Sequence, residues 1–163
     1  KSVYVKREVF ALSSNLTSIF MMIIEFSIVV IFVIAFQFTP TITSLMLPIF
    51  FVLLACFSLG ISLPLSALNV RFRDMRVIWT IVTQALFFLT PIFYKIDFLP
   101  EPIANIVRLN PLALLIEMAH NSLLYDTLPS VQDFTYVTVS SISILFAGWV
   151  IFRKLNNRVD EII

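Results

Sequence analysis

A short charged connection, Asn69-Val-Arg-Phe-Arg-Asp-Met-Arg76, holds three of the chain's eleven basic residues and has a long apolar stretch on either side. Basic residues in short loops are retained on the cytoplasmic face of a membrane, so the segment reads as a turn between two membrane-spanning helices. Composition agrees with that reading. With 60% hydrophobic residues, 13% charged residues and a mean hydropathy of +0.99, the chain lies far from a soluble globular domain. Its net charge of +1 gives no general pull toward nucleic acid or acidic substrates, so the placement of charge matters more than its sum.

A helix needs about 20 mostly apolar residues to cross a bilayer. Four stretches meet that length: about 14–38, 43–68, 77–94 and 134–152. A fifth, Leu112 to Tyr125, would rise only about 21 Å as a helix. That is short of a ~30 Å hydrocarbon core. The basic residues bear on the same question. Lys1, Lys6 and Arg7 precede the first span, Arg71, Arg73 and Arg76 join the second and third, and Arg153, Lys154 and Arg158 follow the last. Four spans with a re-entrant fifth piece keep all of these inside and leave Lys95 and Arg108 outside, whereas five spans strand the C-terminal three outside. The expected fold is therefore all-α and integral to the membrane. It has four transmembrane helices and a re-entrant helical hairpin at about 100–125, on the outer side before the last span. Both ends, 1–13 and 153–163, are expected in the cytoplasm.

The hairpin carries its own local signals. Asn110 before Pro111 places a good N-cap ahead of a proline whose missing N–H is harmless at the first helical position. Leu99-Pro-Glu-Pro102 marks another break, followed by a short helix to about Leu109. Irregular backbone at membrane depth is tolerated only where protein or a water-filled cavity surrounds it, so the hairpin should line an internal surface. It serves there either as a gate or as a plug that packs the outer face.

The chemistry available is sparse. Only Gly60 and Gly148 are glycines, so neither a P-loop nor a dinucleotide-binding glycine motif can be built. If ATP drives the protein, another chain hydrolyses it, and no cofactor is expected on this one. His120, the sole histidine, shares a helix face with Glu117, but no second such pair exists and no metal site is expected. One histidine also leaves no recognisable nucleophile-and-base pattern, which disfavours an enzyme. Cys56 reads as a small packing residue within an apolar run. The match of Asn15-Leu-Thr17 to a glycosylation sequon falls beside the cytoplasm and is taken as chance. Glu25 is the one acidic residue well inside a span. A carboxylate there costs ~3 kcal/mol on insertion scales unless it finds a partner or water. It should face the bundle interior, either on a transport path or subunit contact, or as a protonated group bonded to a neighbouring helix.

Several short motifs occur in order. They are Lys6-Arg-Glu8, Arg73-Asp74, Thr90-Pro-Ile-Phe-Tyr94, Leu99-Pro100, Asn110-Pro-Leu112 with Glu117, and Phe152-Arg153 with Glu161. Together they resemble the permease subunit of ATP-binding-cassette type-2 exporters that move polysaccharides or glycolipids such as O-antigen, teichoic acid and capsule. The resemblance runs over essentially the whole chain. It implies six spans in a full subunit, so this chain, which begins with Lys1, looks like the last four, N-terminally truncated.

That resemblance also implies a homodimeric permease in the cytoplasmic membrane, resting on a separate ATPase subunit that binds ATP and magnesium. Residues 1–13 would then be the remnant of a cytoplasmic coupling helix. By similarity, Lys6, Arg7, Glu8, Arg73 and Asp74 are candidates for coupling to the ATPase, and Pro91, Tyr94, Asn110, Pro111 and Glu117 for the outer gate. Val5 and Ala11 stand where the family often has prolines, and His120 where it often has a longer basic residue. The substrate implied is a glycan or lipid-linked glycan. A type-2 exporter of a drug or lipid, and a membrane-embedded enzyme of glycan or lipid metabolism, are the alternatives.

Overall fold

A computed structural model describes residues 7–35, 42–72 and 74–160, with side chains described throughout except at 7–15, 18, 22, 33, 70–71 and 156–160. The described residues are mostly helical, with no strand among them. Two packing units are distinguished, one up to Pro40 and one from Thr41 onward. Among its described residues the first has one helix, α1, Arg7–Ala35. Glu25 sits within it, exposed in that unit, and Ser27 donates to the carbonyl of Ile23 at 2.8 Å. The expected end of this span at 36–38 lies outside the described residues.

Among its described residues the second unit has five α-helices. A 3-10 turn, Ile42–Met46, leads into α2, Leu47–Arg71, where Pro48 occupies the tolerated first turn. Together Ile42–Asn69 make 28 residues of mean hydropathy 2.4. Then comes α3, Met75–Leu89, followed by a loop with a 3-10 turn at Ile96–Phe98. Two short helices follow, α4, Glu101–Arg108, and α5, Pro111–Leu124, bent by 98° at the break between them. The last is α6, Val131–Asp160, apolar as far as Leu155 with mean hydropathy 1.7. By length and composition α2 with its leading turn and α6 can each cross a membrane, and α4 with α5 would make a third crossing if they were halves of one broken span.

Two of the helix boundaries that differ from the apolar stretches have a local cause. The third apolar stretch is helical only to Leu89, because Pro91 has no N–H and disfavours helical backbone at Thr90, which is extended. Helix α6 begins at Val131 instead of Phe134. Ser130 accepts from the N–H of Asp133 at 3.0 Å and its hydroxyl donates back to the Asp133 carboxylate at 2.7 Å, a capping arrangement that fixes the start.

Helices α2 and α6 run in the same direction. Near their N-terminal ends the rings of Phe50 and Phe134 lie 6.5 Å apart, and further along both helices the backbones meet at Gly60 and Gly148. At the start of both, Thr43 donates to Asp126 at 2.5 Å and to the carbonyl of Ser122 at 3.0 Å. The chain between α2 and α6 therefore returns to the end at which α2 began. There the core gathers: Phe50 and Leu53 of α2, Leu114, Leu115 and Met118 of α5, and Val137 of α6 are buried together. In lipid such contacts hold helices through close packing, since hydrocarbon offers apolar side chains as good a home as protein does.

Candidate functional site

The sequence-derived candidates divide between two ends of the second unit, and the larger group lies around the α4–α5 bend. Pro91 is fully buried where α3 ends. Its missing N–H and the extended Thr90 leave carbonyls of the last turn of α3 without their helical partners. Side chains take over that role. Thr90 donates to the carbonyl of Leu86 at 2.6 Å, and the Tyr94 hydroxyl donates to that of Phe88 at 3.1 Å. The tract 90–94 thus ends α3 with side chains bonded to two of its last carbonyls.

Beyond it, Ile96 is wholly buried against Val107 of α4 and Ala113 of α5, with Leu99 and Ala104 around them. This small cluster holds the loop, α4 and α5 together. The Arg108 guanidinium meets the Asp97 carboxylate at 3.1 Å, with both side chains more than half exposed. Such a pair contributes only about 0–1 kcal/mol. At the bend Asn110 caps α5, its side-chain oxygen accepting from the N–H of Leu112 at 3.0 Å, and Pro111 occupies the first helical position. The Tyr136 hydroxyl of α6 donates to the carbonyl of Leu109 at 2.8 Å and ties the elbow to that helix.

Helix α5 turns Ala113, Leu114, Leu115, Met118 and Ser122 inward. Glu117 and His120 are half-buried beside them. Among the described residues no group of three or more His, Cys, Asp or Glu side chains gathers where it could hold a metal ion. The far end of α5 is bound from two sides. The Lys95 ammonium stands 3.8 Å above the Tyr125 ring, and Asp126, in left-handed backbone at φ 55°, accepts from Thr43. The structure thus brings Pro91, Tyr94, Asn110, Pro111 and Glu117 into one region, the α3 stop and the α4–α5 hairpin. Sequence reasoning missed Thr43, Asp126 and Tyr136, which tether that hairpin to α2 and α6.

At the opposite end of α2 the charged connection is a tight turn made by backbone. The N–H of Phe72 donates to the carbonyl of Leu68 at 2.8 Å, and the N–H of Met75 to that of Phe72 at 3.2 Å. The Asp74 carbonyl accepts from Val77 and Ile78, at 3.1 and 3.2 Å. Its carboxylate makes no capping bond to α3 and is exposed. Arg73 and Lys6 lie outside the described residues. Arg7 and Glu8 form the first turn of α1, and their side chains lie outside the described set.

The sequence signature of the ABC-2 type transporter family matches residues 2–124. Among curated proteins, an O-antigen export system permease protein RfbA of Klebsiella pneumoniae is 29% identical over 140 residues, covering 83% of this chain and 52% of that protein. A second Klebsiella pneumoniae protein of that name is 28% identical over 137 residues, with the same coverage of 83% and 52%. The Myxococcus xanthus protein of that name is 26% identical over 125 residues, covering 75% of this chain and 48% of its own length. The chain spans about half the length of the curated relatives it matches.

Proposed function

This chain belongs to the ABC-2 type transporter family and is a multi-pass membrane protein, and from that premise we propose that it is part of a permease exporting a polysaccharide or lipid-linked glycan across the cytoplasmic membrane. The observation that carries the substrate class is the likeness to O-antigen export permeases over 83% of the chain. A separate ATPase subunit supplies ATP hydrolysis, and a second copy of the permease completes the path.

In this reading α1, α2 and α6 are crossings, the 15-residue α3 crosses only together with the tract 90–94 that follows it, and α4–α5 is a re-entrant hairpin on the outer face. The common direction of α2 and α6 supports it. If α3 crosses once, the chain reaches the start of α6 on the correct side only when α4 and α5 together do not cross. The 98° bend and the tethers to Thr43 and Tyr136 suit a hairpin that dips in and returns, held within protein as buried irregular backbone must be. Pro91, Tyr94, Asn110, Pro111 and Glu117 form or position the outer gate. Lys6, Arg7, Glu8, Arg73 and Asp74 face the ATPase from the cytoplasm, and Glu25 is the polar group of α1 at membrane depth. Both ends of the chain then lie in the cytoplasm.

The test is export of surface glycan in cells with and without the cognate ATPase. Loss of export on removing either subunit, with lipid-linked glycan accumulating inside, is the expected result. Export that continues without the ATPase, or a surface glycan unchanged when this protein is deleted, contradicts the proposal.

A further inference from the structure

The α2–α6 pair is held very differently along its length. Toward its N-terminal end, α5 wedges against both helices, and Phe50, Leu53 and Val137 are buried. Beyond Gly60, residues 61–68 of α2 are half-buried, and an apolar cavity of about 320 Å³, open along much of its side, lies between the helices. It is lined by residues of both, including Leu65 and Leu68 from α2 and Ala147 and Ile151 from α6. The buried cluster that joins α2, α5 and α6 does not reach this half of the pair, which is therefore the less firmly held.

The backbones of the two helices meet where these halves join. Pro64 lies inside α2, four residues after Gly60. It has no N–H to give the Gly60 carbonyl, and its ring crowds that carbonyl away from the helix. The Ser62 and Ser66 hydroxyls turn back onto the carbonyls of Leu59 and Leu63, at 3.2 and 2.7 Å, adding side-chain bonds to the same turn. Across the interface stands Gly148. A Cβ on it would overlap the Gly60 carbonyl oxygen, and a Cβ on Gly60 would overlap the backbone of Ile144 and Leu145. The two glycines let the backbone of α6 close over the Gly60 carbonyl that Pro64 leaves without its helical donor.

We infer that the Gly60–Pro64 turn of α2, seated on Gly148 of α6, is a pivot about which the C-terminal halves of the two helices open and close, widening and narrowing the open cavity between Leu65, Leu68 and Ile151. A proline-interrupted turn bends at low cost because it lacks one of its hydrogen bonds. Side-chain-free backbones at the contact let the helices rock without interlocking. The pivot rests on the transport reading only for the use of the movement, which would relay motion at the turn containing Asp74 into the membrane.

Spin labels in the complete protein in lipid nanodiscs test it. One pair, Leu68→Cys with Ile151→Cys, spans the cavity, and a second, Ile49→Cys with Thr135→Cys, spans the firmly packed end, both in a Cys56→Ala background. The expected result is two distance populations for the first pair and one for the second, with the second population of the first pair lost in Pro64→Ala. A single population across the cavity overturns the pivot, as do two populations at both pairs or two that persist in Pro64→Ala. The wild-type comparison stands however the Pro64 variant inserts. Export is not read in this experiment, so a rigid pair in an exporting protein removes the pivot alone. A moving pair in a protein that exports nothing removes only the transport reading.

Discussion

At the scale of single residues, the hairpin depends on a few polar contacts. Asn110→Ala removes the side-chain acceptor for the Leu112 N–H. Loss of such a cap costs about 1 kcal/mol, so the thermal midpoint of the purified protein should fall, and an unchanged midpoint would mean that water serves the N–H as well. Asp74 presents the opposite case. Its carbonyl holds the turn, and its exposed carboxylate makes no cap to α3. Asp74→Asn should leave stability within about 0.5 kcal/mol. Under the coupling role it lowers export severalfold at normal membrane abundance, and unchanged export removes that role. The Asn110 cap was legible because it is local: an Asn before a Pro at the head of an apolar run. The Ser130–Asp133 box was equally present in the sequence and sets α6 three residues earlier than hydropathy alone suggested. The Thr43–Asp126 bond was not legible, since its partners are 83 positions apart and neither lies in a motif.

At the scale of elements, apolar length identified α2 and α6, and the proline at 91 could have told that α3 stops at Leu89. What sequence could not supply is which helices touch. In the sequence the two glycines served to exclude nucleotide-binding motifs, and their meeting at Gly60 and Gly148 follows from the common direction of α2 and α6. Gly148→Ala places a methyl group against Gly60 backbone, which has no flexible side chain to yield. Overpacking of this kind costs about 1–3 kcal/mol. The variant should unfold at lower temperature in detergent, whereas Ala147→Gly, on the neighbouring residue that lines the cavity, should change the midpoint less. Equal losses for the two would argue against a tight crossing. Arg108 and Asp97 offer a control, because breaking their exposed pair with Asp97→Asn should shift the midpoint little.

At the scale of the whole molecule, the charge distribution and the helix directions are independent of one another and agree. Nine basic residues fall on one side if the chain crosses four times, and α2 and α6 lie parallel, as four crossings with a returning hairpin require. The most direct measurement is labelling of single cysteines by a membrane-impermeant maleimide in intact cells, again without Cys56. Ile106→Cys on α4 and Thr127→Cys after α5, both exposed, flank the bend, while Phe72→Cys and Lys154→Cys mark the opposite ends of α2 and α6. The expected result is labelling of residues 106 and 127 from outside, with 72 and 154 labelled only after the membrane is opened. Labelling of 106 and 127 from opposite sides would make α4 and α5 a broken span and contradict the account.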